Sequence, residues 1–258
     1  GVMVDALDRL TGTDVVGAIK TSKALELSDT HHLVAIDPSE AVDVLTSMPK
    51  VLGTSDPTSQ RASTMMFIVM KALKKMVSPD TKIVMSGEGA DEACAGYTNM
   101  LKAPSPAAMD AESRRLLDAL PKYDNRRADA IISRFGMEGR FPFLDVDFIS
   151  TYLSVPPELR MPGAGLDGLA GIPESSVGLT KSFLRGAIFA CEPNMMHSDT
   201  LWGTKKAFSD STSGDASPWH LTASKYAETF SIPPLPPKFP PAHTKEEALY
   251  QAVLNAVA

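Results

Sequence analysis

The chain is short of several things, and each shortage excludes a class of protein. Only two cysteines, Cys94 and Cys191, occur in 258 residues, which is too few for a disulfide framework or a clustered thiolate metal site. The simplest reading makes both of them small buried hydrophobes in a reducing compartment. No excess of basic charge is present either: Lys and Arg number 25 against 31 Asp and Glu, a formal net charge of -6. That balance gives no footprint for nucleic acid or an anionic membrane surface. No apolar run approaches the roughly 20 residues that a membrane helix needs. There is no initiator methionine at Gly1, so a processed product or a fragment is expected, and any targeting peptide would already be gone. Cytosol and mitochondrial matrix both fit an intracellular, reducing setting. No internal repeat is visible.

What is present is ordinary globular material, 43% hydrophobic and 22% charged, enough for one large domain with a substantial core. Val15 to Leu27 carries apolar residues near helical spacing. His32 to Ile36 is a short apolar run, read as a buried strand. Pro38-Ser39-Glu40 opens a helix with Ser39 as a plausible N-cap, and Arg61 to Met76 reads as a long, Met-rich buried helix. Lys82 to Met85 is a second buried strand. Strands alternating with helices imply an α/β fold with a mostly parallel sheet and ligands at the carboxyl ends of the strands.

After Tyr97 strand signals disappear. Glu112 to Leu120 and Arg126 to Phe135 look helical, so a helical C-terminal layer is expected. Ile232 to Pro241 reads as an extended Pro-rich segment, followed by a last helix with Thr244 and Glu247 as a capping box. The chain thus divides into an α/β part at 1–104, a helical part at 105–230 and an extension with a terminal helix at 231–258.

The chemistry concentrates in Ser86-Gly87-Glu88-Gly89-Ala90-Asp91-Glu92, directly after a strand. Gly87 and Gly89 let backbone approach a ligand, and a strand leading through such a turn into a helix presents N–H groups to an anion. Glu88, Asp91 and Glu92 crowd three carboxylates together. They call for a cationic partner: Mg²⁺, Lys or Arg. The competing reading is a helix start decorated with acids that suit its dipole.

A wider set of blocks resolves that choice. Ser86 to Glu92 with Gly96-Tyr97 and Lys102-Ala103-Pro104 resembles the pyrophosphate-loop signature of glutamine-dependent asparagine synthetases. Thr58-Ser59-Gln60-Arg61-Ala62-Ser63 is similar to that family's segment before a long helix. Tyr123-Asp124 with Arg127-Ala128, Gly136 to Asp145, and Leu201-Trp202 with Lys205 to Asp210 follow in the family's order. The resemblance runs from about residue 13 to the C-terminus, within the synthetase domain.

The resemblance implies a sheet of the ATP-pyrophosphatase (adenine nucleotide alpha hydrolase-like) type, truncated at its first strand. It implies a reaction in which ATP activates the side-chain carboxylate of aspartate, and ammonia then displaces AMP. Ser86, Gly87, Gly89 and Thr58 would bind nucleotide and phosphate. Glu88 would take a proton from the attacking ammonia, Asp91 would be a Mg²⁺ ligand, and Lys205 and Arg61 would face the phosphate charge. Glu92, Asp124 and Arg127 would line the amino-acid pocket. Blander readings stand beside these: Arg140 as a buried ion pair with Glu138 or Asp145, Arg127 as a solvated charge, and Lys205 with Lys206 as a surface lysine pair.

Departures from the family point toward lost catalysis. The Ser-Gly-Gly-x-Asp-Ser loop that cradles pyrophosphate, and the glutaminase domain with its cysteine nucleophile, are not found. Gly203 stands where the family has arginine and Ser211 where it has glycine. Leu101 replaces histidine, Thr180 replaces an acidic residue, and Pro162 to Val177 reads as an insertion. These motivate the expectation of a non-catalytic homologue serving as a subunit of a larger assembly, with other chains covering the uncovered sheet edge and no cofactor in that case. The alternative is the C-terminal part of a working synthetase that uses aspartate, ATP and Mg²⁺.

Overall fold

The computed structural model describes residues 2–3, 13–164, 166, 170–173, 178–205, 218–232, 234, 236 and 239–256. Helices dominate, and their ends follow from local chemistry. Helix α1 spans Thr13–Ala24, and β2, Ala35–Ile36, pairs in parallel with β1, Val2–Met3. Helix α2, Pro38–Leu52, is capped by Asp37, whose carboxylate accepts from the Ser39 N–H, so the cap falls two residues before the expected Ser39. Gly53 ends it in the left-handed region, where a side chain is disfavoured. Helix α3, Pro57–Met76, starts before Arg61 because Asp56 accepts from the Ser59 N–H and Pro57 takes the first position, where a missing N–H costs nothing.

Strand β3, Ile83–Met85, runs into the Ser86 to Gly89 turn and the single-turn helix α4, Ala90–Ala93. Its partner is β4, Glu138–Arg140, parallel and in register Ile83 with Glu138 and Met85 with Arg140. The described residues therefore hold two separate parallel pairs rather than one sheet. The buried strand expected at 82–85 is instead half open, with Ile83 53% and Met85 71% exposed. A strand paired on one side only leaves its other edge and parts of both faces in solvent. Arg140 and Glu138 do pair, at 2.8 Å, but both side chains are largely exposed, so the pair is a solvated one that contributes little.

The helical layer follows: α5, Pro106–Ala119; α6, Asp124–Arg134; α7, Val146–Ser154; α8, Pro157–Arg160; α9, Ser182–Cys191; α10, Ser198–Leu201; α11, Trp219–Glu228; and α12, Lys245–Asn255. In α12 the Thr244 hydroxyl accepts from the Glu247 N–H, while Glu247 reaches back to the His243 N–H, a capping box displaced by one residue. The Pro-rich segment falls partly outside the described residues, as does the Pro162 to Val177 stretch.

Two of the apolar clusters share α2 and α3 and follow one another along them. One joins Leu45, Met65 and Ile68 to Trp219, Leu249 and Tyr250 of the C-terminal helices. The other joins Met48, Leu52 and Met70 to Ile131, Ile132 and Met137. Met48, Met65, Met70 and Met137 fill core space, whereas Met76 at the end of α3 is exposed. Cys94 is buried, but Cys191, at the end of α9, is exposed, so only one of the two is a core residue. No helix among the described residues is long and apolar enough to cross a membrane.

Candidate active site

The turn after β3 is shaped by its second glycine. Gly89 sits at φ +90°, and a Cβ there would run into the Leu144 side chain. Gly89→Ala should therefore destabilise the chain by roughly 1–3 kcal/mol through backbone strain and overpacking, measured as a fall in the midpoint of urea unfolding. A Cβ on Gly87 would instead meet nothing within 4 Å, so backbone there is open to an approaching group.

Beyond Gly89 each acidic residue has found a partner, as the crowding required. Glu88 accepts from Arg127 Nη2 at 2.9 Å, and the same nitrogen reaches Asp124 Oδ1 at 2.9 Å. Arg127 is only 7% exposed, so it is not the solvated charge of the blander reading. Asp91 takes Lys205 at 2.8 Å on one carboxylate oxygen and Lys181 at 3.0 Å on the other. Glu92, almost fully buried, accepts from the Tyr97 hydroxyl, and the Lys205 ammonium lies 5.8 Å from the centre of the Tyr97 ring, within cation–π reach.

Lys181 escaped the sequence reading of the site, and its geometry explains why. It lies on the turn before α9, with its own φ at +57° and its N–H donated to Ala95 O. Ala95 is left-handed too, at φ 55°, and Gly96 returns its N–H to Asp91 O. These turns deliver the lysine to Asp91 across a long sequence separation. The only hint was the third carboxylate's need for a counter-charge. Arg185, one helical turn later, donates to Thr180 O and Leu201 O and so ties the Lys181 turn to the end of α10, just before Lys205.

Burial and charge set the protonation tendencies. Burial pushes the Glu88 carboxyl up, against the pull of Arg127. Burial likewise raises Glu92, with the Tyr97 hydrogen bond opposing it. Partial burial pushes Asp91 up as well, yet the ammonium groups of Lys181 and Lys205 outweigh that and hold it below the usual aspartate value. A carboxylate with raised proton affinity beside one held ionised is a division that acid–base sites commonly show.

Thr58, Glu92 and Asp124 line a cleft of about 330 Å³, walled also by Tyr97, Tyr123 and Arg115. Arg127 lines a smaller neighbouring cavity with Asp56, Ser59 and Tyr123. Arg61 points elsewhere: its Nε and Nη2 donate to the two oxygens of Glu246 on α12. Lys206 to Asp210 and Ser211 lie outside the described residues. At Gly203 a Cβ would come within 2.9 Å of Asp199 O, so any side chain there requires the backbone to shift.

For Mg²⁺ the fit is partial. No group of three His, Cys, Asp or Glu residues among those described could hold a metal, and both oxygens of Asp91 already face ammonium groups. Mg²⁺ is commonly bound through one or two carboxylates together with substrate phosphates. The donor set fits a cation arriving on a phosphate chain, not one held by the protein alone.

With the strand, glycine turn, paired carboxylates and cleft in place, the architecture is that of an α/β domain with a charged site at the end of a parallel strand. The chain belongs to the asparagine synthase family, whose model matches residues 11–117 and 101–230. It is 36% identical over 198 residues to the glutamine-hydrolyzing asparagine synthetase of Mus musculus, covering 77% of this chain and 32% of that protein. The same enzyme of Homo sapiens is 34% identical over 215 residues, 83% of this chain and 35% of its own length. That of Gallus gallus is 33% identical over 248 residues, 94% and 41% respectively. The chain spans about a third of the length of the relatives it matches.

Proposed function

We propose that this chain forms the aspartate- and ATP-phosphate-binding part of an asparagine-synthetase-type amide ligase, in a sheet of the ATP-pyrophosphatase type. The observation that carries this reading is convergence. Glu88, Asp91 and Glu92, Asp124 and Arg127, and Lys205 come from three separate segments, yet their side chains pair with one another or line one cleft. A zwitterion with an additional carboxylate needs fixed charges of both signs. Glu92 and Asp124 in the cleft, and Arg127 beside it, supply them.

In this reading Lys205 and Lys181 turn from Asp91 toward phosphate oxygens and stabilise the charge that builds as the acyl-adenylate forms and breaks. Asp91 would hold Mg²⁺ arriving with the nucleotide, and the ion would offset the charge of the pyrophosphate. Glu88, its proton affinity raised by burial, accepts a proton from the ammonia nitrogen as the amide bond forms.

A second reading, a non-catalytic subunit, is favoured by one observation: Lys181 and Lys205 neutralise Asp91 internally. Calorimetry on wild type and Asp91→Asn separates the two. For a working site, Mg·ATP should bind the wild type, with aspartate binding in its presence. Asp91→Asn should weaken Mg·ATP by about tenfold, ~1.4 kcal/mol. The same change should leave Mg²⁺-free pyrophosphate bound at least as tightly, because both ammonium groups are released. A wild type that binds neither ATP nor aspartate at millimolar concentration would leave the non-catalytic reading.

A further inference from the structure

The last helix reaches back to α3. Glu246, in the first turn of α12, is 2% exposed, and a buried carboxylate is tolerated only when it is fully paired. Its oxygens accept from Arg61 Nε at 3.0 Å, from Arg61 Nη2, from Ser224 Oγ at 3.2 Å and from the Tyr250 hydroxyl at 2.7 Å. The two ends of this ion pair are 185 positions apart in sequence. Arg61 is held by its backbone as well, since Trp219 Nε1 on α11 donates to Arg61 O at 3.2 Å. Ser224 closes the arrangement by also accepting from Arg61 Nη2.

Arg61 stands three residues after Thr58 on α3, one turn along the same side of the helix. Thr58 and Ser59 form the α3 side of the larger cleft, and Ser59 also lines the smaller cavity. Whatever fixes Arg61 therefore fixes the first turn of α3, and with it that wall.

We propose that Glu246 is a positioning residue for the cleft, acting through Arg61 to hold the Thr58–Ser59 wall of α3 in place. The charge of Arg61 is committed to this internal pair rather than to a ligand, which assigns the C-terminal helix a role in shaping the site. The ligand part of this proposal rests on the function proposed above, whereas the α3 part stands without it.

The test uses the full chain with Glu246→Gln, which keeps the side chain's shape and removes its charge, together with Arg61→Gln and the double variant. Hydrogen exchange at amides 59–62 should be at least tenfold faster in Glu246→Gln, with the α6 amides, residues 124–134, unchanged. Equal protection at 59–62, or equal loss in α6, would overturn the proposal. Aspartate affinity in the presence of Mg·ATP, measured well below the unfolding temperature, should weaken about tenfold in each single variant. The double variant should bind no more weakly than Arg61→Gln alone. Additive losses, or an affinity untouched while the unfolding midpoint falls, would mean that Glu246 serves stability only. A wild type that binds neither ligand sinks the proposed function, and hydrogen exchange then decides the role of Glu246.

Discussion

Arg127→Met is expected to destabilise the chain by about 3–5 kcal/mol, the usual cost of removing one partner from a buried ion pair. Methionine keeps much of the volume of the arginine stem, so the loss reports charge rather than packing. It strands Glu88, which is largely shielded from solvent, 22% exposed in its side chain, and deprives Asp124 of the same partner. The deficit should depend on pH, and its direction follows from Glu88. Burial already raises the Glu88 carboxyl above its ordinary value near 4.5, with Arg127 opposing that rise. Without Arg127 it must rise further. A carboxyl raised in the folded state contributes its stability below the unfolded value and loses it as pH climbs through the folded one. The gap between wild type and variant should accordingly be widest near pH 8 and narrow as the pH falls toward 5. Denaturant unfolding at both pH values measures it. A gap that is constant or widens on acidification would show that Glu88 is not the group left uncompensated.

Trp219→Ala should cost a similar amount, about 3–5 kcal/mol for a fully buried aromatic, and lower the unfolding midpoint by on the order of 10 °C. Trp219 has no exposed surface and packs in the core that joins Ile36, Leu45, Met65 and Ile68 to the C-terminal helices. It also loses its hydrogen bond to Arg61 O. Trp219→Phe, which retains most of the apolar area, is the control and should lose appreciably less. Calorimetric melting decides the matter. If α11 and α12 formed an independent appendage, the main transition would keep its midpoint and only a minor one would move.

The charged residues that cluster after β3 were recognisable from their types and order, while their pairings were not. Three carboxylates within a glycine turn demanded counter-charges. The family resemblance pointed to Lys205 as a phosphate-facing residue and to Arg127 as an amino-acid-pocket residue, but did not single out Lys181, which arrives through two left-handed residues far apart in the chain. Strand β4 was equally hidden. Glu138-Gly139-Arg140 carries no apolar run, because its place is set by pairing with β3 and not by burial of its own side chains. Arg61 adds a pairing of the same hidden kind. The family resemblance implies that it faces phosphate charge, and in the structure its guanidinium donates to a buried carboxylate on the last helix.

Local physics is written in sequence: caps such as Asp56 and Thr244, the glycine turn after β3, and the apolar rows along α2 and α3 all depend on residues within a few positions of one another. Family membership is written there too, because ordered blocks survive as strings. Which charge neutralises which was decided only by tertiary structure. Burial removes water as a partner, so every carboxylate and ammonium must find another wherever the fold brings one, and that distance has no record in the order of residues. The exposed face of β3 was likewise settled by which strands lie beside it, a property of the assembled sheet and not of Ile83, Val84 and Met85 themselves.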